Sequence, residues 1–138
     1  MASLYLLDTN ILIAAMKGHP AVRKRLEAEQ INSIRLSAIV LGELEFGAEK
    51  SAYGDRNRAR LAALTLRLPL VGIDQDAIRH YARIRALLER QGTPIGANDT
   101  WIAAQALAIN AVLVTDNERE FSRVPGLTVE NWLADSTS

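Results

Sequence analysis

The feature that most constrains this chain is the apolar run Leu4-Tyr5-Leu6-Leu7, which ends abruptly at Asp8 and gives way to an apolar segment at residues 11–15. Apolar residues on both faces predict a strand buried in a parallel sheet, with Asp8 at its carboxyl end. Ligands of open α/β sheets bind at that edge, beside the N-terminus of the following helix. Because a helix dipole also favours a carboxylate there, Asp8 taken alone is interpreted equally well as a helix cap.

Strands and helices alternate along the rest of the chain. Further strands are predicted at residues 34–37, 69–73 and 111–115. Helices are predicted at residues 10–16, 21–29, 38–50, 75–90 and 99–108, and another follows the polar stretch 51–60 and ends near Arg67. In the helix at 75–90, Asp74 is the expected cap and Ile78, Tyr81 and Leu88 share the expected apolar stripe. The alternation predicts βαβ units in an α/β fold, as one domain across residues 1–138.

The composition excludes several classes of function. The chain has no Cys, which excludes a disulfide framework, a thiolate nucleophile and a Cys-based zinc site. No apolar stretch approaches the roughly 20 residues of a membrane span, and residues 1–7 lack the basic start of a signal peptide, so we expect a cytoplasmic protein. Sixteen acids balance sixteen bases, and attraction to a nucleic acid must therefore come from local patches or bound metal ions.

Glu43 is the most informative single residue. On a helix its neighbours are Ile39, Val40, Phe46 and Gly47, which form a largely apolar face. A carboxylate that points toward a core is costly unless it is paired or binds a cation. The alternatives are a buried salt bridge with an arginine and a place at the exposed rim of the helix.

Two further acids fall at comparable places. Asp116 follows the strand at 111–115 and repeats the strand-then-acid pattern of Asp8, and Asp99 stands at a helix start, where capping is the alternative role. Parallel strand ends share one edge of a sheet, so we expect Asp8, Glu43, Asp99 and Asp116 to converge and to repel one another unless protonated or bound to metal. Oxygen ligands without histidine suit Mg²⁺ or Mn²⁺, and two such ions about 4 Å apart can activate water in phosphodiester hydrolysis.

The order and spacing of several segments resemble the PIN-domain ribonucleases, specifically the VapC toxins of bacterial type II toxin–antitoxin pairs. These segments are Leu7-Asp8-Thr9-Asn10, residues 37–44 with Gly47, residues 92–96 leading to Asp99, Ile102-Ala103-Ala104, residues 113–117 with Glu120-Phe121, and residues 124–127 with Glu130-Asn131-Trp132. The resemblance covers nearly the whole chain. It implies a three-layer α/β/α PIN domain around a mainly parallel sheet.

The resemblance assigns roles to the acids. Asp8, Glu43 and Asp99 match the three most regular metal-binding acids of the family. Asp116 stands at the fourth position, where members often carry Asn or place the acid one step along, at Asn117 in this chain. All four acids are expected metal ligands and catalytic residues. Four hydroxyl or amide side chains could orient them or water: Thr9, Asn10, Ser37 and Thr115.

The implied activity is endonucleolytic cleavage of RNA with Mg²⁺ or Mn²⁺, by in-line attack of water. The class of substrate is tRNA, and the segment at 92–96 resembles the enteric-type subgroup that cleaves initiator tRNA and so inhibits translation. Six basic residues are candidate phosphate contacts: Lys17, Arg23, Lys24, Arg56, Arg58 and Arg85.

The implied partners are a cognate VapB antitoxin that covers the acids, operator DNA reached only through that antitoxin, and a second copy of the chain, paired through apolar helices around residues 41–46 and 61–68. The alternative is a catalytically silent PIN fold that acts only as a binding module with the antitoxin on DNA.

Two other folds with acids at strand ends fit poorly. A phosphoacceptor receiver domain requires a paired acid at the first strand and a Lys after the last one, but Asp8 stands alone and no Lys follows Lys50. A haloacid-dehalogenase-like phosphatase requires an acid where this chain has Asn10.

Overall fold

The computed structural model describes residues 3–134, and its centre is a parallel sheet of five strands in the order β3-β2-β1-β4-β5. The strands are β1 (Leu4–Leu7), β2 (Ile34–Ser37), β3 (Leu70–Val71), β4 (Ala111–Val114) and β5 (Val129–Glu130). The helices are α1 (Thr9–Met16), α2 (Pro20–Ala28), α3 (Ala38–Lys50), α4 (Gly54–Arg67), α5 (Gln75–Arg90), α6 (Ala97–Ala108) and α7 (Glu118–Phe121), with a 3₁₀ turn at Ile31–Ser33. This is the predicted three-layer α/β/α architecture.

The strand order reverses between β1 and β4. From β1 the chain builds β2 and β3 on one side of the sheet, then returns to add β4 and β5 on the other side. A reversal of this kind leaves a crevice at the carboxyl ends of the two central strands, where ligands of open α/β sheets bind. The topology therefore places the residues that follow β1 and β4 in the crevice.

The register between β1 and β4 determines which of the residues that follow these two strands lie side by side. Leu7 pairs with Val114, and the backbone N–H of Asp8 continues the ladder by donating to the Val114 carbonyl at 2.8 Å. Asp8 is consequently level with Thr115, and Asp116 lies one residue further out.

The core lies on both faces of the sheet. Leu6, Leu36 and Leu113, from strands β1, β2 and β4, are fully buried. Trp132 and Phe121, from the C-terminal part of the chain, are fully buried as well. Helix α6 is buried at Thr100 and from Ile102 to Ala106, because its alanines let it approach its neighbours closely.

The elements follow the predictions apart from the following differences. Helix α4 begins at Gly54, so most of the polar stretch 51–60 is helical, and α6 begins two residues before Asp99. Strand β3 has only two residues, and α7 and β5 were not predicted. On α5 the cap at Asp74 is confirmed, but Ile78 is 50% exposed and Ala77 takes its place in the buried stripe.

Residues 1–2 and 135–138 of the predicted domain lie outside the described part of the chain. Within residues 3–134, no helix combines the length and the apolar character needed to cross a membrane.

Candidate functional site

Asp8 is both a helix cap and a member of the crevice. It is the N-cap of α1 and accepts hydrogen bonds from the Thr9 backbone N–H at 2.7 Å and from Thr115 Oγ1 at 2.8 Å. Burial raises the pKa of Asp8 above its ordinary value, the two hydrogen bonds oppose this, and the charges of Glu43 and Asp116 raise it further. The carboxylate is therefore held in place by donors while its charge is poorly compensated.

Glu43 lies at the rim of α3, half buried, and does not point into the core. The predicted apolar face was wrong in part, because Phe46 is 63% exposed and the buried face of α3 is formed by Val40, Leu44 and Ala48. No arginine pairs with Glu43 among residues 3–134.

Two neutral donors hold the Glu43 carboxylate. Thr9 Oγ1 donates to Oε2 at 2.5 Å, and Asn98 Nδ2 donates to Oε1 at 3.0 Å. Thr9 thus contacts two acids at once, since its backbone N–H binds Asp8. Glu43 is satisfied without a counter-ion.

Asp99 is the third residue of α6 and is not its cap, because Gly96 occupies that position without a side-chain bond. Burial, a hydrogen bond with Glu120, and the charges of Asp8, Glu120 and Glu43 together raise the pKa of Asp99 to about 7. These carboxyls are therefore close enough to repel one another, as expected for the cluster.

Glu120 is a member of this cluster that the sequence reasoning missed as a site residue. It bonds with Asp99, accepts from the Gly96 backbone N–H at 3.3 Å, and accepts from Asn117 Nδ2. The sequence feature that could have revealed Glu120 is the spacing Asn117-x-x-Glu120 directly after a strand. This spacing is typical of a helix N-terminus in which the N-cap residue and the third helical residue face each other.

Asp116 lies at the outer edge of the site. It is exposed and is held only by Asn10 Nδ2, at 3.3 and 3.4 Å from its two oxygens. Its charge is the smallest of the named influences on Asp8. The neighbouring Asn117 contacts Glu120 and not Asp116.

The other predicted residues divide into those at the cluster and those away from it. The side chains of Thr9, Asn10 and Thr115 each donate to one of the acids, whereas the Ser37 hydroxyl caps α3 and donates to Gln105 Oε1 at 2.5 Å. Of the candidate phosphate contacts, Arg58 pairs with Glu49 and Asp55, and Arg85 pairs with Glu89. Lys17 lines a groove beside Glu43.

That groove has a volume of about 360 Å³ and runs between α1, α3 and α4. Thr9 and Glu43 lie at one end of it. The walls are formed mainly by apolar side chains, and Lys17 and Arg60 stand among them; the apolar residues are Ile13, Met16, Leu44, Ala48 and Leu61. A largely apolar groove therefore includes Glu43 of the acid cluster in its lining.

The donor set fits a hard divalent cation by its chemistry. All the acids present oxygen, no His or Cys stands among them, and the raised pKa of Asp8 and of Asp99 reflects negative charge that a cation would compensate. Within the described residues no three acidic or histidine side chains stand together as a ready metal-binding group, because each carboxylate is turned toward its own donor.

Residues 5–127 match the PIN domain family. Two relatives match over nearly their whole length. The tRNA(fMet)-specific endonuclease VapC of Shigella flexneri is 42% identical over 129 residues, covering 93% of this chain and 97% of the relative. Ribonuclease VapC2 of Rickettsia felis is 40% identical over 131 residues, covering 94% and 98%. The crystal structure of DNA-bound VapBC from Salmonella typhimurium superposes with a TM-score of 0.86 at 40% identity, covering 95% of this chain and 99% of that one.

Proposed function

The chain belongs to the VapC family of PIN-domain proteins, and we propose that it is an endoribonuclease toxin that uses divalent metal ions to cut RNA. The observation that carries this proposal is the convergence of Asp8, Glu43 and Asp99 at one sheet edge, where the pKa of Asp8 and of Asp99 is raised partly by neighbouring carboxylates. Buried negative charge without a compensating partner destabilises the folded protein. Its presence at the topological switch point, where the strand order reverses between β1 and β4, is typical of a functional site.

Asp8, Glu43 and Asp99 are the proposed metal ligands, Asp116 the fourth, and Glu120 an addition to them. Mg²⁺ or Mn²⁺ is proposed because all five side chains offer oxygen donors. When bound, such ions activate a water molecule and compensate charge on the leaving oxygen.

The chain's own residues prepare the site in two ways. Thr9 and Thr115 fix the Asp8 carboxylate from two directions, and Thr9 with Asn98 fixes Glu43, so the acids keep their places despite repulsion. Glu120, which hydrogen-bonds with Asp99, can hold a proton between the two carboxyls until a cation replaces it.

The proposed substrate is tRNA, and initiator tRNA in particular. This is supported by the similarity to a relative named as a tRNA(fMet)-specific endonuclease. Cleavage of that tRNA would stop translation, and the cytoplasm is the proposed place of action.

The proposed partner is a VapB antitoxin, supported by the similarity to VapC in a DNA-bound VapBC complex. The groove between α1, α3 and α4 leads to Glu43, so an antitoxin segment lying along it would cover the acids. Operator DNA would be reached through the antitoxin. A homodimer is also proposed, and the exposed apolar side chains of Phe46 and Leu66 are consistent with a protein-covered surface.

The test is metal add-back. Antitoxin-free protein is treated with EDTA, freed of the chelator, and incubated with initiator tRNA at increasing Mg²⁺ or Mn²⁺. The proposal predicts discrete cuts that are absent without metal and return with it. Cleavage that is indifferent to EDTA would contradict metal dependence. Intact RNA across a panel of tRNAs and other RNAs would favour the silent binding module.

A further inference from the structure

A second cavity lies behind the acid cluster and has no part in the function described so far. Its volume is about 230 Å³, and it opens between α5 and the start of α6. Six of the side chains that line it give the cavity its mixed polar and apolar lining: Tyr81, Arg85, Leu88, Pro94, Ala97 and Thr100. It combines an aromatic ring, a guanidinium group and a hydroxyl with apolar walls.

The aromatic wall is rigid. Trp101 stacks on Tyr81 with ring centroids 3.7 Å apart and planes 10° from parallel. Arg85 Nη1 donates to the Tyr81 hydroxyl at 2.9 Å, and its Nε donates to Glu89 at 2.9 Å. The ring and the guanidinium are thereby held at fixed positions in the cavity wall before any ligand arrives.

The cavity and the acid cluster share a wall. The segment 92–96 turns at Gly92, where φ is +71°, and then presents Pro94 and Ile95 to the cavity. The same segment gives its Gly96 N–H to Glu120, and Arg123 donates to the Pro94 carbonyl. Asn98, one turn before Trp101, holds Glu43. The cavity and the acids are therefore adjacent along the surface on which an RNA strand bound at the acids would lie.

We propose that the cavity receives one unpaired base of the RNA, next to the phosphodiester that is cut, and so contributes to the choice of cleavage site. Proteins that recognise single-stranded RNA stack its bases on aromatic rings or arginine planes and bond their edges. Here Arg85 supplies donors, Glu89 and Thr100 supply further polar groups, and Tyr81 supplies the ring. The volume is below the roughly 300–1,000 Å³ of sites for drug-sized ligands, which suits a single base.

This proposal rests on the proposed ribonuclease activity, and one experiment separates the two. The probe is the shortest initiator tRNA fragment that the wild-type protein cuts in Mn²⁺, synthesised with an abasic residue at each of the two positions on either side of the cut. The measurement is kcat/KM for every fragment. The wild-type protein is expected to lose about tenfold at one of these positions, within the range of base–aromatic stacking, and little at the others.

The decisive variant is Arg85→Gln, because the Arg85 side chain is 61% exposed and its loss leaves the core intact. We expect this variant to cut the intact fragment more slowly and to be nearly indifferent to base removal. Tyr81→Leu is expected to behave in the same way. Arg79→Gln removes another exposed arginine from the same helix, one that does not line the cavity, and is expected to keep the full penalty for base removal.

An unchanged penalty in both cavity variants would overturn this proposal while leaving the nuclease intact. A wild-type protein that is indifferent to every abasic residue would overturn it as well. Absence of any RNA cleavage would overturn the proposed function and this inference together. If Arg85→Gln loses antitoxin affinity and keeps the penalty, the cavity is a protein-docking site and not a base pocket.

Discussion

The hydroxyl of Thr115 donates a hydrogen bond of 2.8 Å to Oδ2 of Asp8, across the neighbouring ends of β4 and β1. Thr115 is fully buried, so its hydroxyl has no access to water. The bond stabilises the ionised form of a carboxylate whose pKa burial raises. It joins the end of β4 directly to the acid on which the proposed chemistry depends.

Thr115→Val should remove this donor with little change of shape. We expect the pKa of Asp8 to rise further and RNA cleavage to fall by about 10- to 100-fold, the usual cost of losing a group that orients a metal ligand. Thr115→Ser keeps the hydroxyl and should retain most of the activity. Cleavage rates at saturating Mn²⁺ measure this, and equal rates for the Val and Ser variants would contradict it.

Glu120→Gln tests whether Glu120, which the sequence analysis did not name as a site residue, takes part in the site. Because Glu120 bonds with Asp99 and raises its pKa, we expect the variant to lower the pKa of Asp99 and to reduce cleavage by about tenfold or more. Glu118→Gln is the matched control on the same short helix. Glu118 is exposed and accepts from Asn131, so its change should stay within about twofold. If the two variants behave alike, Glu120 has no part in the site.

Asp116→Asn should have a smaller effect than Glu120→Gln. Asp116 is exposed and its charge is only a minor influence on Asp8, so we expect at most about a fivefold loss of cleavage. Asn117→Ala removes a hydrogen-bond donor from Glu120 and should reduce cleavage more than Asp116→Asn does. A loss with Asp116→Asn as large as that expected for Asp8, Glu43 or Asp99 would contradict this secondary place of Asp116 among the proposed ligands.

Asp99→Asn should change how the stability of the metal-free protein depends on pH. The pKa of Asp99 is raised from 3.8 to about 7, so its favourable contribution to folding is present at low pH and is lost as the pH rises from about 4 through 7. The variant has no such loss. At pH 8 in EDTA it should be more stable than the wild type by on the order of 1 kcal/mol, a figure that allows for solvent screening.

Urea unfolding at pH 5 and pH 8 measures this difference. It should shrink at pH 5, where the wild-type carboxyl is protonated in the folded protein. Mn²⁺ added at pH 8 should stabilise the wild type and do less for the variant, because ligands that bind the folded form stabilise it. A wild type that matches the variant at pH 8 without metal would show that the acids do not repel.

The sequence predicted the sheet edge well, since buried strands and the acids that follow them are local patterns. It placed Asp8 and Asp116 at the same edge because both directly follow predicted strands, but it gave no register between those strands. The register places Leu7 opposite Val114, which brings Asp8 level with Thr115 and leaves Asp116 outside. A shift of one residue between two strands cannot be derived from either strand alone.

Other features depended on tertiary packing in the same way. The place of Glu120 beside Asp99 follows from how α7 packs against the start of α6, which no local pattern encodes. Glu43 kept its predicted helix but not its predicted surroundings, because the buried side of α3 is set by its contacts with the sheet and α4. Helix α4 was predicted too short because its arginines favour a solvated helix as well as a loop.

The role of the acid cluster is tested by cleavage of initiator tRNA by wild-type protein and by Asp8→Asn, purified side by side without antitoxin and assayed in Mn²⁺. Circular dichroism of both should show the same fold, since Asn keeps the shape and its single carbonyl oxygen can still accept from the Thr9 backbone N–H, while its NH2 group faces the Thr115 hydroxyl. The account predicts discrete cuts by the wild type and none by the variant. Equal cutting by a folded Asp8→Asn protein would contradict the assignment of this acid cluster as the catalytic centre.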